Sequence, residues 1–279
     1  MINKIILVML SGITVSALFL RAGIGGYMKN ASAEMNTRDV SSVEWEKIAA
    51  KKIYFGHQSV GYNIMTGVSE LARDSGARAI NIKETKDSND FNQPIFAHSP
   101  VGKNHDPISK INDFKLVIDD GLGDKVDIAF FKFCYVDIDQ STDIKVLFDH
   151  YVIAMDDLGL RYKKIKFSHF TIPVKVKPAG IKANIKKLMG MTISGEEDNL
   201  KRNDFNRMLK EKYGSTGRVF DLAGHEATYM DGSINVTKTN GRDNIFLIPE
   251  YSDDGRHLNY IGSKIVGGHL LKFLASLSE

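Results

Sequence analysis

The sequence predicts a three-layer α/β fold built on a doubly wound, mainly parallel five-stranded sheet. Apolar, β-prone runs and segments of helical period alternate about five times along the chain. The strongest run, residues 126–136, is almost continuously apolar, as suits a central parallel strand covered on both faces. No internal repeat and no linker-like stretch divides the chain, so one core is expected.

Ile53-Tyr54-Phe55 reads as a short buried strand ending at Gly56. After the polar triplet His57-Gln58-Ser59, Gly61 opens a helical pattern with Tyr62, Ile64, Met65, Val68 and Leu71. Residues 78–82 read as a second strand. Residues 84–106 read as an uninterrupted polar loop, of a length that is usually functional when it occurs inside a domain. Pro107 starts a helix carrying Ile108, Ile111, Phe114, Val117 and Ile118 on one side, stopped by Gly121 and Gly123. Residues 143–161 have the next helical pattern, and residues 164–172 form an alternating strand ended by Pro173. Phe205, Met208 and Leu209 mark a helix closing at Gly214, residues 218–222 a fifth strand, and residues 260–277 a last helix with Ile261, Ile265, His269, Leu270, Phe273 and Leu277 along one stripe.

The first residues have another character. Lys4 precedes an apolar stretch reaching Leu20, the pattern of an export signal. Ala31-Ser32-Ala33 supplies a small-x-small cleavage pattern, so residues 1–33 read either as a cleaved signal peptide or as a retained N-terminal anchor. Residues 34–279 then form a single domain in the periplasm or outside the cell, with any membrane attachment confined to that first segment. The leader also carries Lys4, Arg21 and Lys29 with no acid, which accounts for the whole formal charge of +3. The remainder is balanced, and nothing in it points to nucleic acid.

A single cysteine, Cys134, excludes an internal disulfide and a cysteine zinc cluster, and reads as core. His98, His105 and Asp106 lack the spacing of a metal site. Asp137 to Asp143 opens like a calcium loop, but Thr142 stands at its glycine position and Phe148 at its glutamate position. No phosphate-binding loop occurs in the domain, so neither a metal nor a cofactor is expected.

Two places carry hydrolytic chemistry. Ser59 lies in a strand-to-helix turn at the carboxyl edge of the predicted sheet, near a helix N-terminus, where it is either a nucleophile or a helix cap. Asp254 and His257, three residues apart just before the last helix, can aim together so that the carboxylate holds one ring nitrogen and leaves the other free. If the first strand is central, the two loops meet at one edge. Gly56 stands three residues before Ser59 rather than two, which argues against the elbow of an α/β-hydrolase.

The early serine turn together with Asp254-Gly255-Arg256-His257-Leu258-Asn259 before a final glycine-bearing helix resembles the SGNH (GDSL-like) hydrolases, from about Lys51 to the C-terminus. Phe220-Asp221-Leu222-Ala223 also looks like that family's penultimate strand. The resemblance implies a flavodoxin-like sheet, Ser59 as nucleophile, His257 as general base and then acid, and Asp254 as the orienting carboxylate. It further implies an oxyanion hole made by the serine amide, a glycine from the second motif and an asparagine from the third. Gly102 is the candidate glycine. The expected asparagine is missing from Phe133-Cys134-Tyr135-Val136-Asp137, so Asn104 from the neighbouring loop is a candidate replacement and His57 a further donor. The implied activity is that of an exported serine esterase that removes O-acetyl or similar groups from a small-molecule, polysaccharide or envelope ester. The alternatives are an acyltransferase using the same site and a non-catalytic polysaccharide-binding or assembly module with an incomplete oxyanion hole.

Overall fold

The computed structural model describes residues 40–76, 80–180, 185, 188–189 and 193–278; the leader and the start of the expected second strand lie outside them. Val40–Glu279 makes one compact unit. Its first half runs α1 (Ser42–Ala49), β1 (Lys52–His57), α2 (Val60–Asp74), β2 (Ile82–Glu84), β3 (Ile95–Pro100), α3 (Pro107–Val117) and β4 (Ile128–Phe131). The second half runs α4 (Ile144–Arg161), β5 (Lys166–Phe167), β6 (His169–Phe170), α5 (Ser194–Tyr213), β7 (Val219–Phe220), α6 (Leu222–Ala227), β8 (Val236–Thr239), β9 (Arg242–Ile245) and α7 (Tyr260–Leu277).

Five strands form an all-parallel sheet in the order β2-β3-β1-β4-β5, which places β1 in the middle. The period-two alternation of its strands explains the layers. Ile53, Phe55, Phe96, Ile128 and Phe130 share one cluster with Trp45, Ile64, Val68, Val266 and Leu270, which belong to α1, α2 and α7. Tyr54, Ile95, Ala97, Ala129 and Phe131 point the other way, into a cluster with Phe114, Leu147, Tyr151 and Phe205 of α3, α4 and α5. On the first face α2 and α7 cross so closely that a Cβ built on Gly67 would run into the Ser263 carbonyl. Only glycine permits that approach.

Two expectations change. The segment expected as one polar loop contains β3, an interior strand. Its apolar part is short and enclosed by Pro94 and Pro100, and its polar part finds partners only in the fold. There His98 Nδ1 lies 3.0 Å from His57 Nε2, and Ser99 Oγ lies 2.8 Å from the Tyr54 hydroxyl. The other change concerns residues 164–172, which switch neighbours. Ser168 N donates to Ala129 O at 3.1 Å, and His169 N donates to Arg218 O at 2.8 Å. The strand expected over residues 218–222 therefore pairs with β6 instead of joining the main sheet. The predicted run 126–136 keeps strand geometry only over β4, and the chain then turns through Tyr135–Asp137.

Candidate active site

A parallel strand delivers the chain to the carboxyl edge of the sheet, and β1 ends there at His57. Ser59 follows with φ 52° and ψ −113°, a conformation that costs a non-glycine residue on the order of 1–3 kcal/mol. It occupies the N-cap position of α2, yet its side chain makes no cap hydrogen bond. The capping role is thus not filled by the hydroxyl. Ser59 Oγ instead lies 2.7 Å from His257 Nε2.

His257 sits in the loop before α7, with Nδ1 2.7 Å from Asp254 Oδ2. Asp254 Oδ1 accepts from the backbone amides of Arg256 and His257, each at 2.8 Å. Partial burial opposes the charged carboxylate, but these amides and the imidazole hold its pKa well below the ordinary carboxylate range. An ionised carboxylate only accepts, so Nδ1 carries the ring proton and Nε2 is left to accept from the Ser59 hydroxyl. The predicted Ser59, His257 and Asp254 are therefore brought into one chain of hydrogen bonds from opposite ends of the sequence.

The other three candidates are placed differently. Gly102 N donates to Asp113 Oδ2 at 2.8 Å, so that amide is not offered to a ligand beside Ser59. Asn104 Oδ1 accepts from Lys110 Nζ at 3.0 Å. His57 is fully buried, and its Nε2 is spent on His98. Burial, then the nearby Lys132 and His98, hold His57 in its neutral form. Its ring packs against Gly61, where a Cβ would collide with it. Gly102 and His57 help shape the turn: Gln58 Nε2 donates to the carbonyls of Val101 and Gly102, at 3.0 and 2.5 Å, and anchors the residue before the serine.

Tyr135 is the site residue that sequence reasoning passed over. Its hydroxyl lies 3.4 Å from His257 Nε2, the nitrogen that Ser59 Oγ also meets. Burial raises the phenol's pKa, and Asp254 adds to the rise, so the group stays a donor. It stands where the missing asparagine was sought, and the signal was its place just after the strongly apolar run that forms β4. The backbone there is held from below: buried Arg202 donates through Nε to Tyr135 O at 2.8 Å. Asp137 Oδ2 accepts from Cys134 N at 2.6 Å and from buried Lys110 Nζ at 2.5 Å. Asp137 is thus committed to the fold. Cys134 is fully buried, as expected, with Sγ 3.5 Å from Gln58 O.

No protein-family model matches the chain, and no curated protein does. Among solved structures, the chain is similar to a protein from Streptococcus pneumonia assigned as a platelet activating factor, at 15% identity over 94% of this chain and 98% of the other, with a TM-score of 0.46. It is similar to a protein from Desulfitobacterium hafniense DCB-2 assigned to the G-D-S-L lipolytic family, at 10% identity over 80% of this chain and 99% of the other, with a TM-score of 0.46. A third is the periplasmic domain of a lipopolysaccharide acetyltransferase from Salmonella ser. Paratyphi A, at 13% identity over 84% of this chain and 85% of the other, with a TM-score of 0.42. At such identities no role passes from those proteins to residues of this chain.

Proposed function

We propose that this chain is an exported serine esterase working through an acyl-enzyme. The observation that carries the reading is the relay from Ser59 Oγ to His257 Nε2 and from His257 Nδ1 to Asp254 Oδ2, each link 2.7 Å long. Ser59 Oγ attacks the acyl carbonyl while His257 takes its proton, and Asp254 stabilises the resulting imidazolium. The oxyanion is received by the Ser59 amide, at the mouth of α2 where helix amides lack intrahelical partners, and by the Tyr135 hydroxyl. His257 then protonates the departing alkoxide. In the second half-reaction it draws a proton from water, which attacks the acyl carbon and frees Ser59.

The substrate class, an O-acetyl or similar ester of a carbohydrate or envelope component, is supported by the family resemblance and by the export pattern of residues 1–33. His257 and Asp254 side chains are each 40% exposed, so a sugar hydroxyl could approach in place of water and make the same site an acyltransferase. The test is hydrolysis of p-nitrophenyl acetate by the purified protein. Ser59→Ala and His257→Ala are each expected to lower kcat by about 10³-fold or more, and a fluorophosphonate should label the wild type but not Ser59→Ala. Activity that survives both substitutions would sink the assignment.

A further inference from the structure

We propose that Lys175 and Arg256 form an anion subsite beside Ser59, so that the ester accepted here is an O-acyl saccharide bearing a carboxylate or phosphate. The inference rests on the esterase reading of the same site and adds the charge of its substrate.

Residues 172–177 leave β6 and run beside the loop that carries Asp254 and His257. Val176 N donates to Gly255 O at 3.0 Å, Leu247 N donates to Lys175 O at 3.1 Å, and Lys175 N donates to Asn199 Oδ1 at 3.1 Å. The backbone of Lys175 is therefore pinned from three directions. Its side chain reaches across Tyr135, placing Nζ 5.6 Å from the ring centroid. The same ring has its centroid 5.7 Å from that of His257. The ammonium thus stands one aromatic ring away from the serine-histidine pair.

Among the described residues this ammonium has no hydrogen bond and no ion pair. The charges that act on it are Arg202 and Arg256, which are like, and Asp198 and Asp254, which are opposite. Both opposite charges have other commitments: Asp198 Oδ1 accepts from Gln140 N at 2.9 Å, and Asp254 is held by His257 with Arg256 Nε 3.7 Å away. Half-burial, followed by the two arginines, pulls the lysine pKa below its ordinary value. A half-buried cation kept among like charges is unfavourable unless an anion arrives to pair with it. Arg256 is half exposed and acts electrostatically on both Tyr135 and Lys175, so an anion that pairs with Lys175 at the Tyr135 ring is favoured by both cations.

The experiment compares acetate release from three compounds: an acetylated methyl glucuronide, the matching acetylated methyl glucoside, and an acetylated glucose 6-phosphate. Binding of the same three to full-length Ser59→Ala is measured by calorimetry. The wild type should favour at least one anionic ester by about tenfold or more in kcat/KM, the size of a charge-assisted contact, and the preference should shrink as salt is added. Lys175→Gln should bring the ratio close to one, and Lys175→Arg should retain most of it. The carboxylate and phosphate arms show which anion fits. Turnover with no charge preference, or a preference untouched by Lys175→Gln, overturns the subsite while leaving the esterase standing. No turnover with any ester, alongside selective binding of the anionic compounds by Ser59→Ala, overturns the esterase and upholds the subsite. Neither turnover nor selective binding overturns the subsite as well.

Discussion

The chain segments that leave β3 and β4 rise on either side of the serine turn, because β1 lies between those strands, yet they are built to different ends. After β3, polar groups are spent within the protein: Gly102 N on Asp113, Asn104 Oδ1 on Lys110, and the carbonyls of Val101 and Gly102 on Gln58. After β4, the backbone is fixed by Arg202 and Asp137, and the Tyr135 hydroxyl is left to meet His257 beside Ser59. One side positions Ser59, the proposed nucleophile; the other brings a hydroxyl to the same histidine nitrogen. Inside a low-dielectric site a donor is useful only where nothing else has claimed it.

The largest way to break this arrangement is Asp137→Ala. Its carboxylate joins both sides, accepting from His105 N at 3.0 Å as well as from Lys110 and Cys134. Without it the fully buried Lys110 ammonium loses its counter-charge, and a loss of about 3–5 kcal/mol in unfolding free energy is expected from denaturant titration. A loss below about 1 kcal/mol would mean that the two sides are held together by something else.

The contrast is sharpened by a pair of variants on p-nitrophenyl acetate. Tyr135→Phe should lower kcat by about 10²-fold with little change in KM, whereas Asn104→Ala should cost only a few-fold. The reverse order would move the proposed oxyanion donor to the loop after β3, where Asn104 is the candidate replacement.

A third effect is read through pH and concerns a buried carboxyl. Glu226 is fully buried, accepting from Val174 N at 2.8 Å, and burial pushes its pKa up from 4.5 to about 8 against the pull of Lys132 and Arg202. The folded protein then holds a proton that the unfolded chain has released between those values, so this group makes stability fall as pH rises from 5 to 8. Glu226→Gln should remove that slope, a difference of about 3–4 kcal/mol between the two pH values in paired melts. An unchanged slope would show that Glu226 is ionised in the fold.

How much could be read beforehand follows from how local each feature is. Asp254 and His257 sit three residues apart, and the loop geometry that joins them is short, so a motif carried it. The helices at residues 107, 143 and 260 declared themselves by Pro107, by period and by flanking residues, and the structure starts them at Pro107, Ile144 and Tyr260. β3 did not, because a strand needs its polar His98 and Ser99 satisfied by His57 and Tyr54, which lie more than forty residues away. Gly102 and Asn104 occupy the expected region, but their hydrogen-bond partners, Asp113 and Lys110, come from α3, whose packing a local reading cannot supply.

By itself, then, the sequence determined the alternating α/β order and the two loops from which Ser59, Asp254 and His257 come, since period and spacing are properties of neighbouring residues. Only the tertiary structure decided that β1 is central, that the Ser59 hydroxyl leaves its cap for His257, and that Tyr135 stands where an asparagine was expected. Those outcomes depend on strand order and on which buried polar groups have already been satisfied. Both are settled between residues far apart in the chain.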